Sequence, residues 1–516
     1  MKLDLKKLLF GLAMVAGVSM MTSCNNDDGV DPGGEGQGKE TPEPTETAYL
    51  SLRLSVGTIA KTRVAIDPTQ TGREEEQTVQ EIRMVLYELN NNTAKYVWDL
   101  QAWSNPSSSQ FEGQDVSQEP GNINTLSRFV TVGKPVAKQD YKMLILVNPP
   151  QRLKEVTEKG KSIGELDIPF AINDRTELTN PDGVAEDNRF FMTNHQGFID
   201  VPEMELQTSQ QLAEQNPKYV QVERAVSKVV ISDNIPYLPN NDEIINLKWD
   251  LDVTNQKSFW MRKMARLSYG SMESPNDGSD RYDRYAEDPN FSGFSAWNHG
   301  SPDGEFELLN YPFPVLTKEF GDANYAYALE NTMEAEEQRH DVTTRVVISG
   351  NYIPYFPSVA TRASAPINFF TFAGYTFKEN DMVNYANNPS YIPEELRTLG
   401  LEMAIQNVKN ERGANAFTNL TESFSSSGIN FYLDGLCYYT VLIRHFNDGQ
   451  VPTLMDYGRY GVVRNNVYRL TIRNIIGPGQ PVIDKPGTDP DDDDTWVAAD
   501  IEMLPWYVRN QEVEDL

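Results

Sequence analysis

The sequence contains only two cysteines among its 516 residues. Cys24 stands near the amino terminus, and Cys437 stands in an apolar stretch far along the chain. A chain of this length buries large cores without disulfide staples, and its length alone predicts roughly two or three domains. We therefore expect a mature fold that needs no disulfide bond.

Histidines are equally scarce, and none has the spacing of a zinc-binding helix or lies beside a cysteine. The four are His195, His299, His340 and His445. The sequence also lacks a Gly-x-Ser-x-Gly nucleophile motif, a phosphate-binding loop and a dinucleotide fingerprint. A catalytic triad assembled only by the fold is the remaining route to catalysis. We predict that the protein is not an enzyme and requires no cofactor.

Basic residues are few, because 45 Lys and Arg stand against 75 Asp and Glu, for a formal net charge of -30. Binding to nucleic acid or to an anionic membrane surface calls for a basic patch. After Cys24, no apolar run is long enough to cross a bilayer as a helix. We expect a solvated acidic surface, no nucleic-acid partner, and membrane attachment only through a lipid.

The amino-terminal segment has the features of an export signal. Lys2, Lys6 and Lys7 precede an apolar run over residues 8–21, and small residues then lead to Cys24. Residues 21–24, Met-Thr-Ser-Cys, resemble the lipobox at which a bacterial signal peptidase cuts before a lipidated cysteine. We predict that Cys24 carries acyl chains such as palmitate, which anchor the precursor to the outer membrane. A plain secretory leader with an incidental cysteine is the alternative.

Past a Gly/Pro/Glu-rich tether that ends near residue 47, the chain alternates apolar and polar residues in the manner of β-strands. In the first strand, Leu50, Leu52, Leu54 and Val56 share one face. Further strands are predicted at residues 81–89, 141–147, 222–231, 247–253, 345–353, 436–444 and 462–472. Short helices are predicted at residues 151–159, 207–214 and 393–407. The pattern indicates β-sandwiches.

Several of these segments together resemble the Bacteroidales major fimbrial subunits of the fimbrillin superfamily, and most closely the shaft subunits of the short fimbriae. Besides the lipoprotein leader, the segments are residues 48–56 with Arg63 after them, 222–229, 247–253, 461–472 and 503–508. The resemblance implies a mainly β chain with two transthyretin-like Greek-key β-sandwich domains and a few short helices. It implies the following division: signal peptide 1–23, propeptide 24–63, first sandwich with an acceptor groove 64–221, second sandwich 222–476, linker 477–494 and donor segment 495–516.

The same resemblance implies assembly by strand exchange that a protease permits. An arginine-specific protease cuts after the first strand, that strand leaves its sheet, and the carboxy-terminal strand of a neighbouring subunit fills the groove. Carried onto this sequence, the cut falls after Arg63, so that the mature chain begins at Val64. Arg53 would be paired within a strand, and Arg73 is followed by three glutamates, so both are poorer targets. An ordinary solvated loop arginine is the alternative for Arg63.

The donor candidate is the segment that follows the Pro/Gly/Asp-rich residues 477–494, which we expect to form an extended, flexible linker. Its inward face is formed by Val497, Ala499, Ile501 and Met503. Pro505 has no amide donor and ends or kinks the strand. A terminal strand that completes the sheet of its own chain is the alternative.

Two acidic clusters carry oxygen ligands that calcium accepts: Asp489 with residues 491–494, and Asp277, Asp280 and Asp283. Neither has the glycine and terminal glutamate of an EF-hand loop, so we predict no metal site. Trp249, Phe259 and Trp260 either form a platform for stacking sugars or pack in a core. At strand spacing, core packing is the expected role.

These features predict a structural shaft subunit of a cell-surface fimbria that supports adhesion to host cells or other bacteria. Its expected partners are copies of itself in a fibre, accessory tip and anchor subunits, and the arginine-specific protease. A tip subunit needs no donor strand and an anchor needs no cleavage, whereas a shaft subunit needs both. The alternatives are such an accessory subunit, or a surface glycan-binding lipoprotein that never polymerises.

Overall fold

The computed structural model describes the chain in separate ranges of residues. They are residues 46–56, 76, 79–101, 104–105, 110–111, 116–118, 128–166, 170–171, 176–179, 190–195, 197–232, 234, 238–264, 286–291, 304–334, 337–356, 360–445, 460–491 and 497–505. All of them lie in one compact unit, Glu46–Leu516.

The described residues are mainly β-strands, which confirms the predicted fold class. The first fifteen strands are β1 (Thr47–Leu50), β2 (Leu52–Val56), β3 (Glu81–Glu88), β4 (Ala94–Gln101), β5 (Ser104–Asn105), β6 (Gln110–Phe111), β7 (Val116–Gln118), β8 (Arg128–Thr131), β9 (Lys134–Ala137), β10 (Tyr141–Val147), β11 (Phe170–Ala171), β12 (Met192–Asn194), β13 (Ile199–Val201), β14 (Lys218–Arg224) and β15 (Val226–Ile231).

The later strands are β16 (Glu243–Asp252), β17 (Thr254–Asn255), β18 (Lys257–Ser258), β19 (Lys263–Met264), β20 (Ala286–Glu287), β21 (Phe306–Glu307), β22 (Lys318–Glu319), β23 (Tyr325–Leu329), β24 (Arg345–Ile353), β25 (Tyr355–Phe356), β26 (Thr361–Arg362), β27 (Phe369–Phe372), β28 (Tyr375–Lys378), β29 (Phe424–Ser426), β30 (Ile429–Tyr432), β31 (Leu436–Leu442), β32 (Asn466–Ile475) and β33 (Val497–Pro505). The α-helices are α1 (Gln151–Val156), α2 (Thr176–Thr179), α3 (Gln210–Gln215), α4 (Glu379–Asn387), α5 (Glu394–Thr398) and α6 (Leu401–Arg412).

The first sheet has the strand order β4-β3-β10-β12-β14-β2-β8-β7, with β13 also paired to β10. Its middle strand β10 is a nearly continuous apolar run, because both of its faces are covered. The inward residues of this sheet and of its neighbours form the first core, which also includes Trp260, Leu329 and Val467 from later in the chain. The first sheet is therefore packed partly by residues of the second half of the sequence.

The second core lies between two four-stranded sheets, β23-β15-β32-β33 and β22-β16-β24-β31. Alternate residues of each strand enter it, as Trp249 and Leu251 do from β16 and Val346 and Ile348 do from β24. This alternation with period two is the one that the sequence predicts for a sandwich.

A helical insert, defined here as Phe369–Tyr432, separates the neighbouring strands β24 and β31. It contains the sheet β28-β27-β30-β29 and the helices α4, α5 and α6 around a third core of its own. The sequence predicted one helix over residues 393–407. The structure has two helices there, because Gly400 takes a positive φ of 90° that ends the first and opens the second.

Two predicted strands are each divided in the structure, and a change of pairing partner explains both divisions. The first strand breaks at Ser51: β1 pairs with β9, whereas β2 pairs with β14 and β8. The strand predicted over residues 222–231 breaks at Ala225, where the chain leaves the first sheet for the sheet that contains β32. The backbone amide of Ala225 instead donates to Phe191.

Candidate assembly site

The second strand of the chain lies inside the first sheet, between two partners. β2 pairs in parallel with β14 and antiparallel with β8. Arg53 stands opposite Tyr219 on one side and Val130 on the other, so its backbone lies within a three-strand ladder. β2 is thus an interior strand contributed by the beginning of the described chain.

The side chains of β1 and β2 are part of the first core. Ala48, Leu50, Leu52 and Leu54 are all buried. The break between the two strands is held by Thr131, whose carbonyl accepts a hydrogen bond from the Ser51 hydroxyl at 2.6 Å. The Thr131 hydroxyl in turn accepts from the Leu52 amide at 2.9 Å. These contacts join the two strands into one continuous buried segment of the first core.

The predicted lipidation site Cys24 and the predicted cleavage residues Arg63 and Val64 lie outside the described residues. After β2, the described chain continues at Glu76, which is fully buried. Its carboxylate accepts hydrogen bonds from the Lys228 ammonium and the Tyr327 hydroxyl, both at 2.6 Å. Its carbonyl accepts from Arg224 Nε at 3.0 Å. Glu76 therefore ties the chain between β2 and β3 to β14, β15 and β23.

The electrostatics of this cluster favour the ionised form of Glu76. Burial alone would raise the pKa of the Glu76 carboxyl, but the charge of Lys228 and the hydrogen bonds from Lys228 and Tyr327 outweigh it and lower the pKa. Burial lowers the pKa of Arg224 to about 10, and the nearby Glu76 charge partly offsets this shift. Burial, reinforced by Glu76, raises the pKa of the Tyr327 phenol. The cluster is therefore a buried Glu76–Lys228 ion pair, and Tyr327 and Arg224 donate further hydrogen bonds to Glu76.

The predicted donor residues lie together on β33, which pairs antiparallel with β32 of the same chain. Val497 stands opposite Ile475, Ala499 opposite Ile472, Ile501 opposite Leu470 and Met503 opposite Tyr468. β33 is the last strand of its sheet, with β32 as its partner. In the single chain, β33 therefore pairs within the sheet of its own chain and lies at its edge. This is the arrangement expected of a terminal strand that completes its own sheet.

The segment between β32 and β33 was expected to be a flexible linker, and the structure corrects this expectation for residues 477–491. We call these residues the strap. Tyr438 and Gln480 exchange two backbone hydrogen bonds of 2.8 Å, and the Ile483 amide donates to the Pro312 carbonyl at 3.1 Å. The Tyr439 hydroxyl donates to the Gly477 carbonyl, and the Tyr432 hydroxyl donates to the Gly479 carbonyl. Composition predicted the extended backbone but not its docking, because the partners are distant in sequence.

The carboxy-terminal end of the strap is anchored by three further hydrogen bonds. The Asp491 amide donates to the Gln338 carbonyl at 2.9 Å, and the Asp491 carboxylate accepts from the Thr343 hydroxyl at 2.5 Å. The Asp489 carbonyl accepts from the His340 amide at 3.1 Å. Asp491 is fully buried. This residue of the acidic cluster is therefore a structural anchor in the described chain.

The two cores meet at a buried ion pair between Arg464 and Glu330. Arg464 Nε donates to the Glu330 carboxylate at 2.9 Å, and the exposure of the two side chains is 0% and 1%. The same guanidinium donates to the carbonyls of Phe259 at 2.9 Å and Trp260 at 3.4 Å. Trp260 then packs edge-to-face on Phe191 of the first core. Arg464 thus holds the backbone of a residue whose ring packs in the first core.

The remaining sequence candidates have structural roles or fall outside the described residues. Trp249, Phe259 and Trp260 are buried, which confirms core packing instead of an exposed stacking platform. Asp277, Asp280, Asp283 and His299 lie outside the described residues, as do residues 492–494. Among the residues that are described, no group of three or more His, Cys, Asp or Glu could hold a metal ion. Within the same residues, every helix is too short or too polar to cross a membrane.

Sequence reasoning missed the Glu76, Arg464 and Asp491 contacts. Glu76 and Lys228 are 152 residues apart, Arg464 and Glu330 are 134 apart, and Asp491 and Thr343 are 148 apart. Each residue reads in isolation as an ordinary charge on a polar segment. A covarying pair in related sequences is the signal that would have identified them.

A protein-family model matches the carboxy-terminal part of the chain. Residues 430–512 match the family model described as major fimbrial subunit protein type IV, fimbrillin, C-terminal. This segment includes β31, β32, the strap and β33. No curated protein sequence matches the chain.

Solved structures with some similarity to the chain include a fimbrilin from Porphyromonas gingivalis W83, at 13% identity and a TM-score of 0.40, with 91% of this chain and 99% of that chain covered. The tip fimbrial protein Mfa3 from Porphyromonas gingivalis has 11% identity and a TM-score of 0.36, with coverage of 89% and 100%. A fimbrial assembly protein from Parabacteroides distasonis has 13% identity and a TM-score of 0.28, with coverage of 59% and 82%. The expected resemblance to major fimbrial subunits is confirmed by the match of residues 430–512, the region that holds the strap and the candidate donor strand.

Proposed function

We propose that the chain is a structural shaft subunit of a cell-surface fimbria, and that it polymerises by donor-strand exchange after cleavage at Arg63. The observation that carries this proposal is the position of β1 and β2. They are the first described strands and precede Arg63 in sequence, yet β2 lies inside the first sheet, β1 pairs with β9, and both contribute to the first core. A cut after Arg63 would break the covalent connection between this buried segment and the rest of the fold.

Departure of this segment would leave an open groove between β14 and β8, where β2 lay, and would free the edge of β9 that pairs with β1. These three backbone edges would lose their partners, and each unpaired buried group costs about 1–3 kcal/mol. Three leucine positions would also be emptied, at roughly 1.5–3 kcal/mol for each buried side chain. A strand from another subunit that restored these contacts would therefore bind strongly without a covalent link.

The candidate donor is long enough to fill such a groove. β33 spans 9 residues, whereas β2 alone, with 5 residues, lies between β14 and β8, and β1 adds 4 residues on the other side of Ser51. In the single chain, β33 contributes one edge strand to its sheet, with β32 as its paired neighbour. Its transfer to a groove with neighbours on both sides would increase the number of its backbone hydrogen bonds. This difference supports exchange between subunits.

In this proposal the precursor is held at the outer membrane by acyl chains on Cys24, and cleavage releases the mature chain that begins at Val64. Copies of the chain form the shaft, and accessory tip and anchor subunits complete the fimbria. The fibre supports adhesion to host cells or other bacteria.

The test uses precursor purified from membranes in detergent and treated with an arginine-specific protease. We expect a mature amino terminus at Val64 and a ladder of multimers that resists SDS without heating. Arg63→Ala should leave a monomer, whereas the matched control Arg73→Ala should polymerise as the native chain does.

Four other outcomes separate the alternatives. A ladder in the Arg63→Ala variant would contradict cleavage at this site. A chain that is cleaved but accepts only one neighbour would indicate a tip subunit, and an uncleaved chain at the base of native fibres would indicate an anchor. Saturable sugar binding by monomers that never polymerise would indicate a glycan-binding lipoprotein.

A further inference from the structure

The strap connects β32 to the candidate donor strand, and its contacts are separate from those of β33. Its hydrogen bonds go to Tyr438, Tyr439, Pro312 and Gln338, and its own Ile483 is buried in a small apolar cluster with Leu316, Val347 and Tyr438. Departure of β33 from β32 would leave every one of these contacts in place. The strap is therefore stabilised independently of the strand that it precedes.

The strap also packs closely against Tyr438 and Tyr439 at Gly479, unlike a loop that is exposed to solvent. A Cβ atom added at Gly479 would lie 2.1 Å from the Tyr438 carbonyl oxygen and 2.8 Å from the Tyr439 ring. Backbone and ring atoms at such distances cannot give way cheaply. At Gly487, in the same strap, the nearest atom to an added Cβ is the Asp489 carboxylate at 3.6 Å. Glycine is thus required at position 479 and not at position 487.

From these contacts we infer that the strap stays docked on its own subunit during strand exchange and fixes the root of the donor strand at Asp491. This inference rests on the proposed function, and it concerns the surface at which two subunits meet. The occupant of that surface is a second copy of this chain. The surface is formed by the anchored end of the strap and the segment 337–343 that holds it.

Chain length sets how close the second copy must come. Asp491 and Val497 are six residues apart, and an extended chain spans at most about 3.3–3.6 Å per residue, so the donor strand begins within about 20 Å of Asp491. Ile475 and Val497 are 22 positions apart, so a free linker that started after Ile475 would have a reach of about 75 Å. The docked strap therefore requires the acceptor groove of the second copy to lie next to residues 337–343 and 489–491.

Hydrogen exchange followed by mass spectrometry tests whether the strap stays docked. The amides of Gln480, Ile483 and Asp491 donate within the protein, so we expect slow exchange in the precursor and equally slow exchange in the polymer. Gly479→Ala should accelerate exchange of the Gln480 amide at least tenfold, and Gly487→Ala should leave it unchanged. Exchange at solvent rates in the native polymer would overturn the inference, because the strap would then have left its bed.

A photoreactive benzoylphenylalanine at position 489, which is exposed, tests the contact with the second copy. In protease-treated polymer, we expect cross-linked peptides that join position 489 of one copy to residues 79–224 of another. The untreated precursor should give none. A ladder in which position 489 cross-links only within its own chain would overturn this inference and leave the proposed function standing. Absence of any ladder would overturn the proposed function itself, and the inference with it.

Discussion

At the scale of single residues, the Glu76–Lys228 ion pair is buried away from water, so it should contribute strongly to the free energy of unfolding. The side chains are 0% and 4% exposed. Removal of one partner leaves the other charge buried without compensation, which costs about 3–5 kcal/mol. We expect Glu76→Gln to lower the free energy of unfolding by about this amount, measured by urea denaturation at pH 7.

The matched control for this substitution is Glu319→Gln. Glu319 pairs with Lys248 at 2.6 Å, but its side chain is 69% exposed. Water screens such a pair, so the change in unfolding free energy should be much smaller than for Glu76. Equal effects of the two substitutions would contradict the role of burial.

The same residue predicts a pH dependence. The pKa of Glu76 is lower in the folded chain than its ordinary value of 4.5. Its contribution to stability is therefore fully present above pH 4.5 and is lost as the pH falls through the lowered folded value. The urea midpoint of the native chain should decline more steeply below pH 4.5 than that of Glu76→Gln. Parallel titration curves for the two proteins would exclude Glu76 as a source of acid sensitivity.

At the scale of secondary-structure elements, the helical insert lies in sequence between the paired strands β24 and β31 and has a core of its own. Phe369 and Tyr432 are cross-strand partners at its base, their rings stack at 4.5 Å, and both belong to the second core. A pair of this kind is what flanks a two-residue hairpin turn. The insert beyond it has its own core.

We expect that a chain in which residues 370–431 are replaced by an Asn-Gly turn keeps the second core intact. It should lose helical circular dichroism and still unfold cooperatively in urea. A companion deletion that also removes Phe369 and Tyr432 should be clearly less stable, because the stacked pair leaves the core. Aggregation of the first variant would show that the insert is needed for folding.

Element prediction from sequence succeeded where a strand stays within one sheet along its whole length. The alternating or continuous apolar runs predicted β10 and β24 to the residue and β3 to within one residue, because local burial alone determines them. The breaks at Ser51 and Ala225 could not be predicted in this way. The residues on both sides are buried, and only the identity of the neighbouring strand changes. The strap was missed for the same reason, since its partners lie in other parts of the chain.

At the scale of the whole molecule, Trp260 from the second half of the sequence packs in the first core. It is 3% exposed, contacts Phe191, and lies beneath the guanidinium of Arg152 at 5.3 Å from the ring centre. Its carbonyl is held by Arg464 of the second half. Trp260 thus lies in the first core, whereas all strands of the first sheet come from the first half of the chain.

Trp260→Ala should lower the free energy of unfolding by about 3–5 kcal/mol and should also separate the melting of the two cores. Scanning calorimetry should then show two transitions where the native chain shows one. Trp249→Ala, which empties a site within the second core alone, should destabilise without this separation. A single transition in the Trp260→Ala variant would mean that other contacts carry the coupling.

The position of β2 between β14 and β8 also has a mechanical consequence. Ladder hydrogen bonds run across the strands, so a pull along the axis of a strand in this place loads both of its ladders in shear. All of the bonds must then fail together. A strand with one paired neighbour, pulled from its end and away from the sheet, is unzipped one bond at a time. A fibre that joins its subunits through such an interior strand resists tension along its length, which is the direction in which flowing liquid pulls on an attached cell.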